Sequence, residues 1–177
     1  MVLFHFSEDP AIGRFEPRPV VQPSDRGPGR DWLNGPLVWA IEPQRQAMYL
    51  FPRDCPRIVL WLTPATTPAD RERWFGASSA DAIAYIEWAW LERVRHCRLY
   101  RYVFDGEGFE NLHDAGMWIS RRSQTPTAMD TLDDLFAAQR AVGVELRVVE
   151  RLSPVRPALE SSLHFSGVRL RNARDWS

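Results

Sequence analysis

The chain contains no lysine: all 22 of its basic residues are arginine. That absence excludes a phosphate loop ending in Gly-Lys-Ser/Thr, a Schiff-base lysine, a Ser-Lys dyad and the strand lysine of protein kinases, each of which needs an ammonium group at a fixed place. Any anion held by side chains must be held by guanidinium groups, whose planar fork matches phosphate and carboxylate. Cysteine is scarce as well. Cys55 and Cys97 stand far apart in no close-spaced redox or metal motif, and none of the histidines, His5, His96, His113 and His164, forms a tight ligand pair with either. Two reduced thiols and no metal are expected. No apolar run approaches the ~20 residues of a membrane span, and the opening residues lack the basic region and cleavage site of a secretory signal. A cytoplasmic chain with no membrane partner is the expectation. The formal net charge of −1 provides no global field to draw in nucleic acid, which is not favoured as a partner.

What is present reads as an α+β chain. At 177 residues it is expected to form a single domain, 1–177, with one sizeable core. In the opening stretch, VLFHFS, alternation puts Val2, Phe4 and Phe6 on one face of a strand and Leu3, His5 and Ser7 on the other. Residues 8–35 are rich in Pro, Gly and Arg and read as a long loop, with Phe15, Val20, Val21, Trp32 and Leu33 able to pack onto the body as a cleft cover or a structural wrap. Strands are expected at PLVWAI (Pro36–Ile41), RIVLWL (Arg57–Leu62), CRLYRYVF (Cys97–Phe104), GMWIS (Gly116–Ser120) and VELRVV (Val144–Val149), with a further extended segment around Pro126.

Three helices are expected. Thr67 caps the first, with Pro68 in its opening turn. The second runs from Ser78 to about Arg95, where Ile83, Ile86, Trp90 and Val94 form an apolar stripe that also takes in Glu87. The third covers about Thr131–Val142 and stops at Gly143 in a left-handed cap. In the closing SLHFSGVRLRN, a bulge at Ser166-Gly167 would return Val168 and Leu170 to the core and leave His164, Ser166, Arg169 and Arg171 on a polar strand face. Strands and helices that do not strictly alternate give mixed or antiparallel sheets.

Several residue sets could carry chemistry. YLFPRDCPR, Tyr49 to Arg57, could present Arg53 and Arg57 to a phosphate, or those arginines could pair with Asp54, Glu42 or Glu87. Glu87 itself is either half of an ion pair or a functional carboxylate. Trp39 and Trp118 could flank a base or a nicotinamide ring. His113 beside Asp114 suggests a triad, but no Gly-x-Ser-x-Gly nucleophile elbow exists to complete it.

HFSEDPAIGRFEPR, GPLVWAI, YLFPRDCPR, IEWAWLE, AGMWIS and SLHFSGVRLRNA together resemble a bacterial single-domain family of unknown function. More distantly, a first-strand His followed two residues later by Ser, a VWAI strand and a tyrosine-bearing turn are similar to the ADP-ribosyltransferase-like fold. That resemblance implies NAD as cofactor, with His5, Phe6 and Ser7 at the ribose and nicotinamide and Tyr49 stacked on the ring. Arg53 and Trp118 would complete the cleft, and cleavage of the nicotinamide glycosidic bond would be the reaction. The region from Met117 to Met129 holds no acid, so Glu87, Asp114 or Asp130 would have to stabilise the developing positive charge, with Glu87 the first choice. The alternative is a non-catalytic module that binds a nucleotide, nucleic acid or protein through the arginines of the 53–57 loop and the 164–171 segment.

Overall fold

The computed structural model describes residues 1–21, 23 and 26–176; the parts of the 8–35 loop at Gln22, Ser24 and Asp25 lie outside them. Among the described residues are ten strands: β1 (Leu3–Ser7), β2 (Val38–Ile41), β3 (Arg57–Trp61), β4 (Ala82–Glu87), β5 (Leu99–Phe104), β6 (Glu110–Asn111), β7 (Met117–Ser120), β8 (Ala128–Leu132), β9 (Val144–Val149) and β10 (His164–Val168). Three α-helices, α1 (Pro68–Trp74), α2 (Leu91–His96) and α3 (Leu135–Ala141), are joined by five 3₁₀ segments, so helical pieces outnumber the three expected. Mixed α+β content holds. The elements form two compact units, each made of two stretches: residues 1–46 with 100–131, and 47–99 with 132–177. No helix among the described residues is long and apolar enough to cross a membrane.

The first unit is a six-stranded sheet in the order β6-β7-β2-β1-β5-β8. Antiparallel pairing of β1 with β5 sets Leu3 opposite Phe104 and His5 opposite Tyr102, so the predicted alternation puts Leu3 and His5 on the face that carries those aromatics. Phe15 closes that face. It stacks edge-on against Tyr102 and Phe104 at 5.1 and 5.3 Å between centroids and exchanges backbone hydrogen bonds with Gln124. Arg18 bridges to Leu37. This part of the loop is thus a structural wrap, anchored by a buried aromatic and by satisfied backbone groups.

The second unit is a four-stranded sheet in the order β10-β3-β4-β9, with β4 and β9 parallel and the other neighbours antiparallel. All five residues of β3 and all six of β4 are buried. Here the predicted helix over Ser78–Arg95 is corrected: its first half is strand β4, followed by a 3₁₀ turn at Trp88–Trp90 and then α2. AIAYIE is apolar on both sides, and a short run of that kind fits a fully buried strand as well as one side of a helix. Pairing with β3 and β9 decides between them. Ile83 and Tyr85 then join a core with Ile58 and Leu60, whereas Ile86, three residues from Ile83, points to the opposite face.

The bulge expected at Ser166-Gly167 is also absent. β10 pairs with β3 one to one, from His164 opposite Trp61 to Val168 opposite Arg57. The chain instead turns at Arg169, whose φ of +56° lies in the left-handed region, and a 3₁₀ turn at Leu170–Asn172 folds Leu170 back over Gly167. A Cβ at Gly167 would stand 2.4 Å from Leu170 Cδ1, so the glycine makes the room that this return needs.

Capping follows the sequence closely. Thr67 accepts the Asp70 N–H at 3.2 Å, and Asp70 in turn receives the Ser162 N–H and hydroxyl at 2.8 and 2.6 Å, which hold its carboxyl below the usual range. Arg147 caps the other end of α1 by donating to the carbonyls of Trp74 and Phe75 at 2.7 and 3.3 Å. The third helix starts later than the expected Thr131, because Thr131 and Leu132 belong to β8; Asp134 caps α3 through the Ala137 N–H at 2.9 Å, and Gly143 sits at φ +72° as expected.

Candidate functional site

In the first unit the four candidates His5, Phe6, Ser7 and Trp118 are all half-buried. His5 Nδ1 lies 2.8 Å from the Trp39 carbonyl. A carbonyl only accepts, so Nδ1 carries the proton, and in the neutral ring Nε2 is the acceptor. Phe15 flanks the imidazole at 4.7 Å between centroids. Ser7 is engaged locally, its hydroxyl accepting the Asp9 N–H at 3.1 Å. Tyr102 then donates to the Asp9 carbonyl at 2.6 Å and accepts the Ile12 N–H at 3.1 Å, which fixes the exit of β1. Phe6 meets Phe4 edge-on at 6.3 Å. The Trp118 ring is oriented by Nε1 donating to Glu42 Oε1 at 2.9 Å.

Tyr49, Arg53 and Glu87 belong to the second unit. Glu87 closes β4 and is 3% exposed. Its oxygens accept main-chain amides: Oε1 from Leu152 at 3.1 Å and from Arg174 at 3.0 Å, Oε2 from Arg174 at 3.1 Å. The ion pair with Arg53 or Arg57 that the sequence suggests is replaced by these backbone donors. Amides satisfy a buried carboxylate without bringing in a second charge that would itself have to be desolvated.

The more telling arrangement lies at the other end of this sheet, where β3 begins and β10 ends. Arg57 is 3% exposed. Nε donates to the Met48 carbonyl and Nη1 to the Cys55 carbonyl, both at 2.9 Å, and the guanidinium sits 5.6 Å from the centre of the Phe51 ring. None of the acids expected as its partner, Asp54, Glu42 or Glu87, is ion-paired with it. Burial lowers its pKa to about 10, still high enough to keep it charged at neutral pH. The groups that hold this buried cation are neutral carbonyls, and Asp54 acts on it only at longer range than an ion pair.

The register brings more of the same sign. Val168 is opposite Arg57, so Arg169 follows immediately beyond the ladder. Arg169 Nε donates to the Arg53 carbonyl at 3.3 Å, and Asn172 Nδ2 donates to the Asp54 carbonyl at 2.7 Å. These two bonds fasten the C-terminal turn to the Pro-rich turn before β3. Partial burial, together with the charges of Arg171 and Arg53, lowers the pKa of Arg169. Tyr49, the last residue of the Pro43–Tyr49 3₁₀ segment, is close enough to interact electrostatically with both Arg57 and Arg169. The two arginine-bearing segments singled out in the sequence therefore meet.

Sequence reasoning missed the buried position of Arg57, the left-handed backbone of Arg169, and the parts played by Asp54 and Asn172. The signal for the first was the placement of Arg57 at the head of a continuous apolar run. No group of three or more His, Cys, Asp or Glu among the described residues could hold a metal ion.

Residues 4–173 match the model of a family of unknown function, DUF6886, and the chain belongs to that family. No curated protein and no solved structure matches it.

Proposed function

We propose that this chain binds a phosphorylated small molecule, with a nucleotide as the expected class, through the guanidinium groups gathered where β3 begins and β10 ends. The observation that carries this reading is Arg57: a fully buried arginine with no carboxylate partner, beside Arg169, which is itself crowded by Arg53 and Arg171. Such a concentration of one sign of charge is costly in the absence of an anion and favourable in its presence. Tyr49, within electrostatic reach of Arg57 and Arg169, carries an aromatic ring of the kind on which a base or nicotinamide stacks.

Within this reading NAD, the ligand of the ADP-ribosyltransferase-like fold, is the first nucleotide to test. Binding is better supported than cleavage. Each acid that could stabilise an oxocarbenium-like transition state already has a partner: Glu87 the two backbone amides, Asp130 the Arg101 guanidinium at 2.8 and 3.0 Å, and Asp114 Arg30 at 3.1 Å.

Calorimetric titration of the folded protein with inorganic phosphate, AMP, ADP-ribose and NAD tests the proposal. Arg169→Ala and Arg171→Ala should each weaken binding by about tenfold or more, the equivalent of one charge-assisted hydrogen bond. Absence of binding by all four ligands would remove the reading. Capture of a single-stranded oligonucleotide with a steep salt dependence would replace it with a nucleic-acid one.

A further inference from the structure

We propose that Asp54 is a resident counter-ion of the arginine cluster that a phosphate monoester displaces on binding. The inference rests on the phosphorylated-ligand reading above and adds the identity of the competing group and the charge class of the ligand.

The contact of Asp54 with Arg169 is of two unlike kinds. The main chain of the 53–54 turn is held firmly, its carbonyls receiving Arg169 Nε at 3.3 Å and Asn172 Nδ2 at 2.7 Å. The Asp54 carboxylate is not. Oδ1 stands 3.8 Å from Arg169 Nε, the side chain is 67% exposed, and the carboxylate accepts no hydrogen bond among the described residues. At that distance it compensates charge without the directional bond a guanidinium can make. The carboxylate can therefore leave while the turn stays in place.

The cluster itself is positioned for a ligand with more charge than one carboxylate. Arg57 is fixed by the Met48 and Cys55 carbonyls. Arg171 is exposed and forms no hydrogen bond or ion pair among the described residues. Arg169 reaches its position from a left-handed backbone, φ +56°, a conformation that is strained for a residue with a Cβ and free for glycine. A phosphate monoester brings close to two negative charges and three acceptor oxygens at neutral pH, enough to engage the Arg169 and Arg171 guanidiniums together, with buried Arg57 contributing charge and no direct contact. It cannot occupy the Arg169 side of the cluster without repelling the Asp54 carboxylate.

Titrations with inorganic phosphate and with phenyl phosphate, on the wild type, Asp54→Asn and Asp54→Ala, test this. Both variants should bind each ligand roughly three- to tenfold more tightly than the wild type, since a like charge at the cluster has been removed while the backbone acceptors remain. Equal or weaker binding by the two variants, with wild-type binding intact, overturns the role of Asp54 and leaves the phosphorylated-ligand reading standing. A wild type that binds neither probe overturns that reading, and the inference with it.

Discussion

Glu87 and Arg174 are joined through the main chain: the Arg174 amide points at both carboxylate oxygens of Glu87, at 3.0 and 3.1 Å, and the guanidinium of Arg174 turns away to Glu150 at 3.2 Å. With Leu152 also donating to Oε1, a buried acid ties the end of β4 to two later segments of the same unit. Glu87→Gln puts an amide NH₂ where one of these oxygens accepted. The expected cost is about 1–3 kcal/mol, the range for a buried donor left without its acceptor. Urea denaturation would read it. Phosphate affinity should be unchanged, and a variant that kept full stability but lost ligand turnover would assign Glu87 to catalysis instead.

Arg169→Gly separates binding from folding. Glycine adopts φ +56° without a steric penalty, so the substitution relieves backbone strain, while it removes the hydrogen bond to the Arg53 carbonyl. The net change in stability should stay within about 1 kcal/mol. Phosphate affinity should fall by about tenfold or more. Thermal melts and calorimetry on one preparation would show both.

Gly143 works under the opposite constraint. Its φ is +72°, and a Cβ there would stand 2.3 Å from Asp81 Oδ2 and 3.0 Å from Asp81 Cγ. Its carbonyl also accepts the N–H groups of Asp81 and Ala82, where the parallel β4–β9 pair starts. Gly143→Ala should therefore destabilise the protein by about 1–3 kcal/mol, through the left-handed backbone and the crowding together. A drop in the denaturation midpoint without a change in slope would be the signature.

Cys55 sets an alkaline limit. Its thiol is fully buried, and burial pushes its pKa up to about 12, whereas a thiol in an unfolded chain ionises near 8.5, an approximate reference value. Between those values the unfolded chain gives up a proton that the folded chain keeps. The stabilisation is therefore complete below the unfolded pKa and is lost as pH rises toward the folded one. Denaturation midpoints measured from pH 8 to pH 10 should fall less for Cys55→Ala than for the wild type. At pH 8 the native thiol should resist alkylation and react on unfolding.

Arg147 offers a test of helix capping. It donates to Trp74 and Phe75 carbonyls and to the Tyr85 hydroxyl, and bonds Glu145 at 2.7 Å. Arg147→Met keeps much of the apolar stem and removes all of these donors. The last turn of α1 should fray, with a loss of about 1–3 kcal/mol and faster hydrogen exchange confined to residues 68–76.

Much of the local structure was legible before any coordinates. Thr67, Pro68 and Gly143 act through their own backbone and nearest neighbours, so their signals survive in every tertiary context. Strands such as VELRVV announced themselves by composition. Where the reading failed, the deciding partner was distant in sequence. AIAYIE satisfies a helical stripe and a buried strand alike, and β3 and β9 on either side settle it as β4. The proposed bulge at Gly167 answered a real phase shift between Phe165 and Leu170, which the structure resolves by a turn at Arg169.

The candidate site divides along the same line. From the sequence alone came the chemistry: a chain without lysine must meet anions with guanidinium groups, and two of its segments are rich in them. Which arginines matter came only from tertiary structure, because the pairing of β10 with β3 brings residues more than a hundred positions apart to one sheet end and encloses Arg57 there. Side-chain type is a local property of the chain, whereas burial and the proximity of like charges belong to the packed fold.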